Sequence, residues 1–331
     1  MAVLRGADVF VQGILGATPD GMSGDKVSVY ADMNGKCLRG YVKPFNGEKL
    51  FVGNGILQFN REEMFCNKDP LSGVGVLMTE PLYEAPSLND TCVDLIFPQN
   101  LPSIVCSHVL DPKPGEIILD MCASPGGKTT HLAVLMKNKG RLVAVDKTQQ
   151  KIEKIQKHAR QWDLDIIETY AYDSMQMVDV GSDTNGGPPY PPQTFDRILL
   201  DGPCSALGQR PSAHNKMSLN SLKSYSTYQR KLIQCAVQLL KPNGTLVYST
   251  CTINQEENEK QVLWALKTFP ELVLESQKPH LGQTGQECDG LTKYQQEMVQ
   301  FYDPGQIADS SDLTVNNDTI GFFIAKFKKK I

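Results

Sequence analysis

Two cysteines stand where buried strands run out into polar residues. In LVYSTCTINQEENE, residues 246–259, Leu246, Val247 and Tyr248 read as strand and Ser249 to Thr252 as its frayed end. Asn254 and Glu257 have the spacing of a capping box and predict that a helix begins there. Cys251 is left at the strand mouth. In DRILLDGPCS, residues 196–205, Cys204 follows closely on a second strand that ends at Asp201. A lone cysteine is ordinarily a small apolar core residue. Two thiols at adjacent strand ends are different: in a doubly wound sheet ligands bind outside the carboxyl ends, so both would face one cleft.

A glycine-rich loop supplies the third chemical element. EIILD (116–120) reads as a buried strand and runs directly into MCASPGGKTTHLAVLM. A phosphate-binding G-x-x-x-x-G-K-T loop would need glycine at position 122, which is Cys122, and the dinucleotide pattern G-x-G-x-x-G is also missing. What remains is a Gly126-Gly127 turn at a strand end. Asp146 closes the next strand twenty residues after Gly126, a separation that places a carboxylate on ribose hydroxyls. A nucleoside without a polyphosphate fits such a site, and S-adenosylmethionine is one.

The elements that must position these groups alternate strand and helix from about residue 105, the signature of a doubly wound α/β sheet. RLVAVD (141–146), DRILLD (196–201) and TLVYST (245–250) repeat the apolar strand with a polar end, and ETYAYD (168–173) is a weaker fourth. Leu132, Leu135 and Met136 give the helix after the glycine loop one apolar face. Pro242 and Asn243-Gly244 stop the helix that carries Leu232, Ala236, Leu239 and Leu240.

Residues 1 to 85 read differently, as short strands broken by turns. Asn34-Gly35 and Asn46-Gly47 each sit between apolar alternations and predict two hairpins. The strand count is too high for one hairpin and the length too short for a sandwich, which predicts a small barrel. The net charge of −4 gives no global attraction to nucleic acid, so any RNA contact is local. Two basic stretches are candidates: Lys36, Arg39, Lys43 and Lys49, and the FKKK run at 327–330. The nine cysteines include no C-x-x-C pair and are read as reduced thiols, with neither a disulfide framework nor a metal site. No apolar run reaches the length of a membrane span, and the start lacks a signal-peptide pattern, so a cytoplasmic, reducing setting is expected.

Two resemblances sharpen these readings. RGADVFVQGI, GDKVSVY and KLFVGNGI are similar to a PUA domain, a small RNA-binding barrel, which implies a structured RNA partner, commonly near a tRNA acceptor end. DMCASPGGKTTH, DRILLDGPCSALGQRP and LVYSTCTINQEENE resemble the cofactor loop, the proline-cysteine motif and the threonine-cysteine-threonine motif of the Sun-family RNA cytosine-C5 methyltransferases. With the PUA-like segment ahead, the chain is identified as a member of the branch of the NSUN group that carries a PUA domain and acts on tRNA. The resemblance covers nearly the whole chain, GFFIAKF included.

The resemblance implies a PUA-like domain over 1–87 and a Rossmann-like methyltransferase domain over 88–331. It makes Cys251 the nucleophile on cytosine carbon 6 and Cys204 the thiol that assists release. Asp201 would hold the cytosine edge, and Lys128 would hold the loop and lower the Cys251 pKa. Cys122, Ala123, Ser124, Pro125, Gly126, Gly127 and Lys128 would surround the methionine part of S-adenosylmethionine, with Asp146 on the ribose, Asp173 near the adenine, and Lys151 and Asp201 in the same set. Ser124 and Gly202 stand where the family usually has alanine, and Ala206 where it usually has glycine. Relatives of this type carry a further segment ahead of the PUA-like one, so the chain is read as a shortened form. The alternatives are a methyltransferase acting on another base atom or on protein, a non-catalytic RNA-binding protein of the same fold, and a redox pair of thiols, against which the missing C-x-x-C spacing counts. The expected partner is tRNA, with no membrane and no metal, and the oligomeric state is open.

Overall fold

A computed structural model of the chain describes residues 2–67, 71–82, 92, 95–210, 212, 217–303 and 319–331. The chain divides into two compact units, Met1–Thr91 with Pro211–Lys216, and Cys92–Arg210 with Met217–Ile331. The boundary expected at 87 and 88 lies outside the described residues.

In the first unit, β1 (Val9–Phe10), β2 (Lys26–Asp32), β3 (Lys49–Leu57) and β4 (Val74–Pro81) form an antiparallel sheet in the order β1-β4-β3-β2, with helix α1 (Arg61–Phe65) between β3 and β4. Val11, Leu57, Met64 and Val76 are its buried core. Among the described residues the ladder is open at both edges, where the sequence predicts closure into a barrel. The two expected hairpins are also absent. β2 pairs directly with β3, from Lys26↔Ile56 to Asp32↔Lys49, so both Asn-Gly pairs fall in one long connection. Within it Tyr41 makes only an isolated bridge to Gly16. Gly40 turns the chain at φ 80°, and Pro44 has no N–H to give a ladder. Side chains hold the connection instead. The Arg39 guanidinium donates to the carbonyls of Val11, Gln12, Ile14 and Met64, which engages in the fold a cation that the sequence offers to RNA.

The second unit contains α2 (Leu101–Leu110), β5 (Ile117–Asp120), α3 (Gly127–Leu135), β6 (Arg141–Asp146), α4 (Gln149–Gln161), β7 (Ile167–Ala171), β8 (Phe195–Asp201), α5 (Leu219–Leu239), β9 (Leu240–Thr250), α6 (Glu259–Thr268), β10 (Leu272–Leu274), α7 (Lys293–Glu297), β11 (Gln300–Tyr302) and β12 (Phe322–Lys329). The sheet runs β10-β12-β9-β8-β5-β6-β7, with β11 also on β12. β5 to β9 pair with one another in parallel, and β12 pairs antiparallel with β9. Strand alternation sends side chains to two faces. Ile118, Leu142, Leu199 and Val247 meet Val105, Val109, Leu132 and Met136 on one side, and Leu119, Val143, Leu200 and Leu246 meet Leu232, Ala236, Val262 and Ala265 on the other. Each such buried Val, Leu, Ile or Met side chain contributes about 1.5–3 kcal/mol relative to exposure.

Chain order reverses at β5, which lies between β6 and β8, and this is the switch point at which α/β sheets open a crevice. α5 ends one residue earlier than expected, with Leu240 already in β9, and Asn243 turns at φ 60°. Lys329 is no free cation of the basic run: it is buried and donates to the carbonyls of Val237 and Leu240 at the end of α5. Among the described residues no helix is long and apolar enough to cross a membrane, and no group of three His, Cys, Asp or Glu is arranged to hold a metal.

Candidate active site

The loop leaving β5 turns at Gly126, whose φ of 110° is a left-handed conformation that favours glycine. A Cβ on Gly127 would meet Gln99 Nε2 at 3.0 Å, so the absence of a side chain lets the loop approach residues 97–99. At the end of β6, Asp146 reads this loop: Oδ2 accepts from the Ser124 N–H at 3.1 Å, and Oδ1 accepts from the Lys147 N–H at 2.7 Å and Lys151 Nζ at 2.8 Å. Asp173 accepts from the Met175 N–H at 3.1 Å and lies 3.6 Å from Lys147 Nζ. Asp146 with Lys151 thus borders the loop, and Asp173 is tied to Lys147, the residue after Asp146.

Cys122, Ala123, Ser124, Pro125, Gly127, Lys128 and Asp201 line a cavity of about 510 Å³ together with Phe97, Pro98, Gln99, Asn100, Ser103, Asp120 and Gln209. Gly126 shapes the turn without lining it, and Asp146, Lys151 and Asp173 are outside the lining too. Sequence reasoning gave no role to the 97–103 wall or to Asp120. Asp120 is buried, its Oδ2 accepts from Thr129 Oγ1 at 2.8 Å, and its Oδ1 has no partner. Burial first, and the nearby Asp201 charge, push its carboxyl up to about 7. An orphaned carboxylate oxygen at such a cavity fits a cationic ligand group, as the ammonium and sulfonium of S-adenosylmethionine are. The Cys122 thiol is driven well above its ordinary value by burial and by Asp120, Asp146 and Asp201, which keeps it neutral.

At the neighbouring strand ends the two remaining cysteines meet. Asp201 of β8 registers with Ser249 of β9, and Cys204 Sγ lies 3.3 Å from Cys251 Sγ. Asp201 accepts from Lys128 Nζ at 2.7 Å and from Ser249 Oγ at 2.7 Å. The Cys251 thiol is pulled down to about 7, chiefly by the hydrogen bond from Cys204, with Gln209 and the Lys128 charge assisting against burial and Asp201. The same bond pushes Cys204 up. Lys128 therefore contributes less to the Cys251 thiolate than the sequence suggests, because its cation is shared with Asp201. Burial works to lower the Lys128 pKa, and the charge and hydrogen bond of Asp201, together with Cys106 and Asp120, outweigh it so that the pKa rises.

Two local expectations change. Ser249 and Thr250 are not frayed: both are fully buried and paired with Ile324 and Phe323 of β12. Asn254 caps a short 3-10 turn, Gln255–Glu257, through the Glu256 N–H, and the α-helix starts only at Glu259. The Glu257 carboxylate accepts from the Ser205 N–H and Oγ, and Gly208 N–H donates to the Cys251 carbonyl at 3.0 Å.

A profile of the family described as 16S rRNA methyltransferase RsmB/F matches residues 107–328. The mouse tRNA (cytosine(72)-C(5))-methyltransferase NSUN6 is 48% identical over 99% of this chain and 72% of its own length. The tRNA (cytosine(72)-C(5))-methyltransferase of Pyrococcus horikoshii is 33% identical over 99% of this chain and 72% of its own. The crystal structure of NSun6 from Pyrococcus horikoshii with SFG, an analogue of S-adenosylmethionine, superposes with a TM-score of 0.77 at 32% identity, covering 99% of this chain and 73% of that one.

Proposed function

Because this chain belongs to the RsmB/F family of S-adenosylmethionine-dependent RNA methyltransferases, we propose that it methylates carbon 5 of a cytosine in tRNA, near the acceptor end, through a covalent bond between Cys251 and carbon 6. The 3.3 Å approach of Cys204 to Cys251 carries this reading, since it puts a nucleophile and a proton-handling partner at one strand mouth. The names of the relatives at 48% and 33% identity support tRNA as the substrate. A non-catalytic role has no observation in its favour, since the two thiols meet each other and Lys128 meets Asp201 at the ends of neighbouring strands.

Carbon 5 of cytosine is a poor nucleophile until a thiolate adds to carbon 6, which moves electron density onto carbon 5. Cys251, with its depressed pKa, is that thiolate. S-adenosylmethionine supplies the electrophilic methyl group that carbon 5 takes. Asp201 accepts from the exocyclic amine edge of the base and Lys128 balances its charge. Cys204 then acts as, or relays to, the base that removes the carbon 5 proton, and the bond to Cys251 breaks to restore the ring. Asp120, the loop from Cys122 to Lys128, Asp146, Lys151 and Asp173 hold the cofactor. Residues 1–87 act as a PUA-like domain that holds the RNA, and 88–331 as the methyltransferase domain, in the reducing cytoplasm that free thiols require.

Incubation with labelled S-adenosylmethionine and total tRNA, followed by sequencing for 5-methylcytosine, tests this. Label at a cytosine near the acceptor end is expected, and label confined to another base atom or to protein would overturn it.

A further inference from the structure

One carboxylate outside the cofactor cavity joins the loops that carry both thiols. Glu257 is fully buried. Its Oε2 accepts from the Ser205 N–H at 2.9 Å and from Gln229 Nε2 at 3.0 Å, and its Oε1 accepts from Ser205 Oγ at 2.5 Å and Asn254 Nδ2 at 3.0 Å. Four donors converging on two oxygens require an ionised carboxylate, which is acceptor-only. Ser205 directly follows Cys204, and Asn254 lies three residues past Cys251.

The proton directions follow from the count. Ser205 has one hydroxyl proton, which its Oγ donates in the hydrogen bond to the carboxylate. Its oxygen then accepts from Thr252 Oγ1 at 2.8 Å, and Thr252 Oγ1 accepts from the Asn254 N–H at 3.2 Å. Thr252 directly follows Cys251, so the chain of bonds runs from the neighbour of one thiol to the neighbour of the other. Gln229 of α5 closes the circuit by donating also to the carbonyl of Pro203, the residue before Cys204, at 3.0 Å.

We infer that Glu257 is a positioning residue for the two-thiol chemistry: by pinning the neighbours of Cys204 and Cys251 it sets the separation of the sulfurs. The inference rests on the proposal that Cys251 is the nucleophile. With the acceptor removed, the donors from three segments face one another in a buried space, the loops part, and the Cys204 thiol no longer reaches Cys251.

Glu257→Gln is the test, because its amide keeps the shape and brings donors to a site already full of them. The readout is the pH profile of Cys251 alkylation by iodoacetamide in the full chain, assigned by mass spectrometry, beside kcat and the KM for S-adenosylmethionine. The alkylation midpoint is expected to rise by about one pH unit, lowering the rate below the midpoint about tenfold. Turnover should fall by a similar factor while KM stays within about twofold. Ser205→Ala, which removes the hydroxyl link and keeps the carboxylate, should shift the midpoint in the same direction by less. An unmoved midpoint in folded Glu257→Gln overturns the inference, and if that variant does not fold, an unmoved midpoint in Ser205→Ala does so. Alkylation needs no turnover, so this failure is distinct from a failure of the nucleophile assignment, which would show as methylation surviving Cys251→Ala.

Discussion

Lys147 and Lys151 hold carboxylates at the cofactor end of the cleft with side chains 64% and 50% exposed, whereas at the thiol end Glu257, Thr250, Thr252 and Asn258 are fully buried and bonded. The cofactor end also leaves Asp120 Oδ1 without a partner, while both Glu257 oxygens have two donors each. The difference follows from what each end must do. A ligand that binds and leaves completes the first, so unsatisfied groups and exposed lysines belong there. The second must hold two sulfurs at a fixed distance before a base enters, so the oxygens of Glu257, Thr250, Thr252 and Asn258 take their partners from the protein itself, with Gln229 Oε1 left unpartnered at its edge.

Substitutions that separate the two ends test this contrast. The largest effect is expected from Cys251→Ala, which removes the nucleophile and lowers methyl transfer by about a thousandfold or more while cofactor affinity stays unchanged. Labelled-methyl incorporation and calorimetry on the same preparation check both halves, and substantial residual methylation would remove Cys251 from its role. Cys204→Ser should complete methyl transfer but stall at release, leaving RNA bound to the protein through denaturing electrophoresis. That adduct should require cofactor and vanish when Cys251→Ala is added. Normal turnover without an adduct would break the assignment of the second thiol.

Asp146→Ala acts at the other end. Loss of charged hydrogen bonds is expected to weaken S-adenosylmethionine by about 1–3 kcal/mol and leave the Cys251 alkylation profile where it was. A shifted profile would mean that the ends are not separately built. The smallest effect is stabilising. Ala206 sits at φ 55°, a left-handed conformation that costs an L-residue about 1–2 kcal/mol, and glycine would relieve it at some entropic cost. Ala206→Gly should gain about 0.5–1 kcal/mol in urea unfolding, and a loss would show that the Ala206 methyl group is held by contacts.

The sequence made the thiol cleft legible because its signals are local. An apolar strand that ends in a polar residue can be read in six residues, and β6, β8 and the end of β9 fall where RLVAVD, DRILLD and TLVYST place them. The partners that finish the cleft come from elsewhere in the chain and carry no such signal. Phe97 and Gln99 belong to no motif and become a wall only through folding. Glu257 has capping-box spacing, and nothing in that spacing reveals that its carboxylate turns to Ser205 instead. In the first unit, Asn-Gly pairs give the same strong signal in a long connection as in a tight turn, and only the direct pairing of β2 with β3 distinguishes them.

The pairing of β9 with β12 also has a kinetic meaning. Thr250, at the edge of the thiol loop, takes its ladder partner from Phe323, more than seventy residues away in sequence. The glycine loop lies inside a local β5-α3-β6 unit that closes over about thirty residues. Long-range closures lose more chain entropy before any contact rewards them and form more slowly. The β5-α3-β6 unit is therefore expected to close before β12 docks on β9, while the cofactor cavity is completed only when β8, which supplies Asp201, pairs with β5 across an equally long stretch of chain.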